Sequence, residues 1–143
     1  MNQRTPSSTE TPKVEAYRVA EEARMATLPK HFGRHMMIFE GKVFDLMRRF
    51  SRRYEGGHWA YFETSSDSFY MVPPEDIYPM VIPTNGYNGR MSADAAGITV
   101  CLFAYSLLSF EHRETEVFAE HFHGLRDFAL GHAEAAEIFA AID

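Results

Sequence analysis

The sequence MSADAAGITVCLFAYSLLSF, residues 91–110, contains the longest apolar run in the chain and predicts a single helix. Ser92 can cap the first turn, because a serine oxygen at this position accepts a hydrogen bond from an amide two or three residues later. Asp94 places negative charge near the positive end of the helix dipole. Beyond Ala95 nearly every position is apolar, which is typical of a membrane span or of the buried centre of a globular domain.

The length of the apolar run favours the globular interpretation. Ala95 to Phe110 is 16 residues long and is interrupted by three hydroxyl side chains, whereas a bilayer core needs roughly 18 to 20 apolar residues. Small side chains recur along one side of the helix, where another backbone could approach closely: Ala93, Ala96, Gly97, Cys101 and Ala104. We therefore predict a core helix covered on two faces, and no membrane association.

The length and composition predict one domain. The chain has 143 residues, 45% of them hydrophobic and 14% aromatic, within the range of globular proteins. Residues 1–13 are rich in Ser, Thr and Pro and lack an apolar segment of signal-peptide length, so we predict a flexible tail followed by a single domain over residues 14–143. The single cysteine provides no disulfide framework, and a cytoplasmic location is expected.

The residues before the central helix predict helical and then β structure. Val14 to Met25 favours a short strand or turn, followed by a short helix ending before Pro29. Residues 36–54 have apolar side chains every three or four positions and predict an amphipathic helix with a basic C-terminal end. The aromatic runs 58–64 and 68–72 predict a β-hairpin, and 77–82 predict a third strand at a sheet edge, because Pro79 cannot donate a ladder hydrogen bond.

The remaining elements complete a prediction of the fold class. Asn85 to Gly89 is rich in residues that tolerate positive φ and predicts an exposed tight turn. Amphipathic patterns predict helices over residues 114–130 and 132–142, separated by Gly131. The order predicts an α+β fold with two layers, in which a mid-chain antiparallel β-meander of about three or four strands packs against about four helices.

Charge is distributed unevenly along the chain, although the net charge is only −6. Eight basic and two acidic residues lie between Arg24 and Arg53, whereas two basic and nine acidic residues lie from Met91 onward. The two regions could simply face each other or water, or they could form recognition surfaces. Four arginines beside Tyr54 and Trp59 could neutralise phosphates, which gives a nucleic-acid-binding alternative: Arg48, Arg49, Arg52 and Arg53.

The acidic helix 114–130 raises two further possibilities. Glu116, Glu120, His123 and Asp127 share one helical face and could bind a metal ion, but one helix rarely supplies a complete site, and we predict neither a metal nor a cofactor. The carboxylates lie about 6 and 10 Å apart along a helix rising 1.5 Å per residue. Duplex DNA carries roughly one charge per 1.7 Å, so close DNA mimicry is not expected.

The sequence favours a non-enzymatic protein. Ser92 is explained as a helix cap and Cys101 as a small core residue, so neither stands out as a nucleophile. The chain contains no Gly-x-Ser-x-Gly elbow, phosphate-binding loop or dinucleotide-binding fingerprint.

Several segments resemble the ArdB/KlcA antirestriction proteins of plasmids and genomic islands. The similarity extends in order over residues 28–143, and its motifs are LPKHFG (28–33), YEGGHWAYFE (54–63), FYMVP (69–73), MSADAAGI (91–98) and HAEAAEIFAAID (132–143). The resemblance implies an intracellular protein that relieves type I restriction of incoming unmodified DNA and has no known cofactor or settled catalytic site. The expected partner is the type I restriction complex or an accessory host factor.

Combining this resemblance with the charge distribution gives two predicted partner-binding regions. The first consists of acidic residues near and at the C-terminus: Glu116, Glu120, Asp127 and Asp143. The second is the predicted exposed turn, represented by Asn85, Tyr87, Asn88 and Arg90. The alternative function, nucleic-acid binding, uses the four arginines named above.

Overall fold

The computed structural model describes residues 13–143 and confirms the α+β fold class. Most of the predicted tail, residues 1–13, lies outside the described residues. The strands are β1 (Ala16–Arg18), β2 (Ala60–Thr64), β3 (Phe69–Val72), β4 (Ile77–Ile82) and β5 (Tyr87–Ser92). The helices are α1 (Arg24–Phe32), α2 (Met36–Phe50), α3 (Ala93–Glu111), α4 (Val117–Leu130) and α5 (Ala135–Ile142).

Helix α3 is the predicted core helix. Ser92 caps it, its side-chain oxygen accepting a hydrogen bond from the Ala95 amide at 3.1 Å. The helix contacts α2, α4, α5 and strand β3, and every residue from Ala95 to Leu102 is buried. The helix is long and apolar enough to cross a membrane, but 61% of its most apolar 18-residue stretch is buried inside the protein. Packing by the other elements thus accounts for its apolar character.

The β structure differs from the predicted single meander. The predicted hairpin is present as β2 and β3, with Ala60 opposite Val72 and Glu63 opposite Phe69, and β1 pairs with the other edge of β2. Strand β4 does not join this sheet but pairs with β5 in a separate two-stranded sheet. Pro73 and Pro74 follow β3 directly, and prolines cannot donate ladder hydrogen bonds, so the meander stops there.

The predicted exposed turn over residues 85–90 is wrong. A 3₁₀ turn covers Pro83–Asn85, and within residues 85–90 only Gly86 has the left-handed backbone conformation, with φ of 67°. The chain then enters β5, where Gly89 pairs with Met80 and Tyr87 is buried. Because one left-handed residue is enough to reverse the chain, most of the Asn- and Gly-rich segment is strand.

Several helix boundaries also differ from the prediction. Helix α1 continues to Phe32 instead of ending before Pro29. The burial of Leu28 and Phe32 offsets the loss of the one helix hydrogen bond that proline cannot donate. Counting α1 as a full helix gives five α-helices in residues 13–143 rather than four. Helix α2 ends at Phe50, α4 begins at Val117 and α5 begins at Ala135, each a few residues inside the predicted range.

The core contains an unusual buried histidine, His121 of α4. Its ring stacks on Tyr105, with centroids 5.3 Å apart, and packs edge-on against His31 at 5.0 Å. The Ser68 hydroxyl donates to the His121 carbonyl at 2.8 Å and lies 3.1 Å from its Nδ1 atom. Burial, followed by the nearby His31, lowers the pKa of His121 to about 4. His121 is therefore neutral in the folded protein at neutral pH.

Because His121 is buried and its pKa is lowered, we expect the protein to lose stability in mild acid. The folded pKa lies below the unfolded value near 6.5, so the unfolded state binds more protons as pH falls from about 6.5 to about 4. We expect the free energy of unfolding to fall by up to about 3 kcal/mol across this window. The measurement is urea unfolding at several pH values, followed by the fluorescence of the single, buried Trp59.

Two variants separate His121 from other titrating groups. Replacing His121 by glutamine should reduce the pH dependence between 4 and 6.5 without abolishing it, because the His121 ring is removed while His31, whose pKa burial also lowers, remains. The same replacement of the exposed His123, two residues away on the same helix, is the matched control. Equal slopes in all three proteins would contradict the role assigned to His121.

Candidate functional site

One face of α4, together with the residue directly before the helix, presents unpaired acidic side chains to solvent. Glu116, Glu120, His123 and Asp127 are all exposed, as predicted from their spacing of four, three and four residues. None of their side chains has a hydrogen-bond or ion-pair partner within residues 13–143. We call Glu116, Glu120 and Asp127 the acidic face. Unlike most charged groups nearby, these carboxylates are not engaged in holding the fold together.

The fourth predicted acidic residue, Asp143, borders the acidic face rather than belonging to it. It lines a cavity of about 130 Å³ together with Phe122 and Arg126 of α4 and residues of α3. Positions 126 and 127 are separated by about 100° around a helix, so Arg126 and Asp143 border the acidic face without belonging to it. The structure therefore does not join Asp143 to the three α4 carboxylates.

The predicted turn residues divide into structural and exposed ones. The Asn85 side-chain amide donates to the Ala141 carbonyl at 2.6 Å, and the Tyr87 hydroxyl donates to Glu137 Oε1 at 2.5 Å. Burial, followed by the bond to Glu137, raises the pKa of Tyr87. Both side chains thus attach the β4–β5 sheet to α5. Only Asn88 and Arg90 are exposed and free to meet a partner.

The basic end of α2 is partly neutralised by nearby acids. Arg48 pairs with Asp45 at 3.3 Å, and Arg53 pairs with Glu75 at 3.6 Å. Arg49 borders an apolar groove of about 490 Å³ between α2 and α3. These two pairs are exposed ion pairs, which contribute little to stability.

The structure adds Arg90 to this basic region. Arg52, Arg53 and Arg90 line one open cavity of about 540 Å³, together with Ile77 and Pro79 of β4. Sequence reasoning placed Arg90 in a separate partner-binding turn. It missed this grouping because only the pairing of β4 with β5 carries Arg90 next to the end of α2, and no local sequence signal reports that pairing.

The two most recognisable sequence motifs meet in one polar network. The His132 Nδ1 atom accepts a hydrogen bond from the Glu134 amide at 2.9 Å, so its Nε2–H donates to Asp94 Oδ2 at 2.7 Å. The Tyr70 hydroxyl donates to the other Asp94 oxygen at 2.9 Å. Ser92 donates to Glu134 through its amide at 3.0 Å and also through its hydroxyl. MSADAAGI and HAEAAEIFAAID are therefore two halves of one contact between α3 and the α5 region.

Comparison with known proteins identifies the family to which the chain belongs. The sequence model of the family described as "Antirestriction protein" matches residues 52–143. The antirestriction protein KlcA of Escherichia coli is 40% identical over 141 residues, spanning 95% of this chain and 99% of the relative. The chain belongs to the antirestriction protein family. The predicted resemblance is confirmed.

Other antirestriction-family comparisons extend to the fold. A solved structure of the KlcA and ArdB proteins matches with a TM-score of 0.86 and 43% identity, covering 94% of this chain and 99% of the other. Those proteins are described as having a novel fold and antirestriction activity against type I DNA restriction systems in vivo but not in vitro. The uncharacterized protein YfjX of Escherichia coli K12 is 35% identical over 133 residues, covering 87% of this chain and 85% of the relative.

The family motifs hold structure together rather than forming a Ser-His-Asp triad. His132 contacts Asp94 and not Ser92, and the Ser92 hydroxyl is bound to a carboxylate while its oxygen caps α3. A triad requires the histidine to accept the serine proton. Cys101 is fully buried, and burial raises the pKa of its thiol to about 12, which favours the protonated thiol over the reactive thiolate.

Proposed function

We propose that this antirestriction-family protein relieves type I restriction of incoming unmodified DNA inside the cytoplasm by binding a cellular partner, without catalysis. The observation that carries the proposal is the activity of KlcA and ArdB in vivo but not in vitro. A protein that acts in cells but not in a purified reaction requires a component that the purified reaction lacks. The partner is then the type I restriction complex in its cellular state or an accessory host factor.

The acidic face of α4 is the proposed partner-binding surface. Its three carboxylates are exposed and have no partner within residues 13–143, whereas Glu111 and Glu114, in the preceding segment, pair with Lys42 and His35. Free charges on one rigid helix suit electrostatic steering toward a basic partner. Their spacing of about 6 and 10 Å along the helix is wider than that of DNA phosphates, which favours a protein contact over imitation of a duplex.

We propose that residues 14–143 form one antirestriction domain. One cluster of buried apolar side chains extends from Leu28 of α1 to Ala141 of α5 and includes residues of both sheets. In a continuous core of this kind, a substitution at one position changes the stability of the whole domain. Exposed substitutions on α4 are thus better tests of partner binding than substitutions in the core.

Plating efficiency tests the function directly. Unmodified phage should plate more efficiently on a type I restricting host that expresses this protein than on the same host without it, by at least about tenfold. Phage already modified by the host serves as the control and should plate equally on both. Equal plating of unmodified phage with and without the protein would contradict the proposal.

A second candidate function is direct nucleic-acid binding through Arg52, Arg53 and Arg90. The observation that favours it is their convergence on one open cavity from two distant parts of the sequence. The test is the binding of a duplex oligonucleotide at low and high salt, since phosphate contacts weaken as salt rises. Binding that disappears when the three arginines are replaced by alanine would favour this candidate, and no binding at low salt would exclude it.

A further inference from the structure

Two histidines and a glutamate converge at the junction between the helical layers. His35 ends the 3₁₀ turn Gly33–His35 before α2, His112 follows the last residue of α3, and Glu114 lies in the loop before α4. Their donor atoms all lie within 4.8 Å of one another. Within residues 13–143 this is the only such grouping of three potential metal ligands. The predicted metal alternative on the α4 face is not grouped in this way.

Two of the three distances between these donor atoms match the edges of a tetrahedral metal coordination sphere. His35 Nε2 and His112 Nδ1 lie 3.3 and 3.4 Å from the same Glu114 oxygen, Oε2. For a tetrahedral zinc ion with bonds of about 2.0 to 2.1 Å, two ligand atoms are separated by about 3.3 to 3.4 Å. The third edge, between the two imidazoles, is at most 4.8 Å.

The surrounding packing holds the two imidazoles toward the carboxylate. Both rings lie against Phe118, a fully buried side chain of α4, with centroid distances of 5.8 and 6.1 Å. Side-chain exposure increases from 12% for His35 to 26% for His112 and 50% for Glu114. The site therefore has two ligands fixed by the core and one on the surface, with its remaining side open to water.

We propose that His35, His112 and Glu114 bind one Zn²⁺ ion, with water as the fourth ligand. Neutral imidazoles and a carboxylate are ligands that zinc accepts, and three protein ligands with one open position form a recognised zinc arrangement. Magnesium is disfavoured because it prefers oxygen ligands in octahedral geometry. The ion would join the turn before α2 to the loop that leads into α4, and so would fix the segment immediately before the acidic face.

The exposed pair His58 and Glu21 provides a matched control. Its imidazole Nε2 and carboxylate Oε1 are also 3.3 Å apart, but no third ligand from residues 13–143 accompanies them. Comparing the two sites separates metal binding from the simple presence of a histidine beside a glutamate. The three test variants are His112→Gln, Glu114→Gln and the control His58→Gln.

Isothermal titration of the full chain with Zn²⁺ tests the proposal. We expect one equivalent to bind the parent and the His58→Gln control, no heat from Mg²⁺, and at least about a 100-fold loss of zinc affinity in His112→Gln and Glu114→Gln. Because Glu114 is half exposed, Glu114→Gln should fold normally, as circular dichroism would check. Absence of zinc binding in the parent, or unchanged affinity in Glu114→Gln, would overturn the proposal.

The urea unfolding midpoint gives an independent readout of the same site. A ligand that binds only the folded state raises its stability, so zinc should raise the midpoint of the parent and of His58→Gln. It should not raise the midpoint of Glu114→Gln. An equal zinc-induced increase in all three proteins would place the ion elsewhere and overturn the assignment.

Discussion

Replacing Gly97 by alanine is expected to destabilise the protein strongly. Gly97 lies in the first third of α3, where the helix backbone passes close to strand β3. A Cβ atom added there would lie 2.0 Å from the carbonyl oxygen of Met71, 3.1 Å from its carbonyl carbon and 3.2 Å from Val72 Cα. All three are backbone atoms, so no side-chain rotation can relieve the overlap. Either α3 or β3 must move.

The expected cost follows from the position of this contact in the core. Both residues beside Gly97, Ala96 and Ile98, are fully buried, and overpacking at such a site forces shifts in the backbone. We expect Gly97→Ala to lower the free energy of unfolding by at least about 3 kcal/mol, a large part of the total for a domain of this size. Urea unfolding followed by Trp59 fluorescence measures the change.

Gly41→Ala is the matched control for the same substitution. Gly41 is an exposed residue in the interior of α2, and a Cβ atom added there meets no other atom within 4 Å. Alanine is favoured over glycine in a helix interior, so this variant should gain about 0.5 to 1 kcal/mol. Similar effects of the two substitutions would show that the close approach of α3 to β3 does not govern stability.

Local chemistry made this core helix predictable from sequence. The Ser92 cap, the apolar run and the stripe of small residues that includes Gly97 each depend on neighbours within one helix, and the structure contains all three. The hairpin of β2 and β3 was predictable for the same reason, since two aromatic strands flank a short turn. Each of these features is specified by residues that lie close together in the sequence.

Contacts between distant segments were not predictable in this way. The bond between Asp94 and His132 joins residues 38 positions apart, and the contact of His35 with Glu114 joins residues 79 apart. Nothing in either local pattern specifies its partner. The same reason explains the wrong assignment of Tyr87 to an exposed turn, because its burial depends on Glu137 of α5. For the candidate site, sequence predicted the exposed carboxylates of α4 but not their separation from Asp143.

Reversing the acidic face is expected to abolish antirestriction while leaving the fold intact. The variant combines Glu116→Lys, Glu120→Lys and Asp127→Lys, three exposed positions with no partner within residues 13–143. Placing like charges against a complementary surface costs several kcal/mol, and every 1.4 kcal/mol weakens binding tenfold. Binding should therefore weaken by at least about 100-fold, and unmodified phage should plate no better than on a restricting host without the protein.

A second triple variant separates the location of the charges from their total. Glu22→Lys, Glu55→Lys and Asp76→Lys also reverse three exposed acids with no ion-pair partner within residues 13–143, and both variants change the net charge from −6 to zero. Lysines in the first turn of α4 oppose the helix dipole at about 0.3 to 1 kcal/mol each, so circular dichroism and urea unfolding must show that both variants fold. Long-range electrostatic steering depends on the total charge, which is the same in both variants, whereas docking depends on where the charges lie. We therefore expect the second variant to protect unmodified phage DNA and the α4 variant not to protect it. Protection retained by the folded α4 variant would exclude the acidic face as the partner-binding surface, and loss in both variants would point to net charge instead.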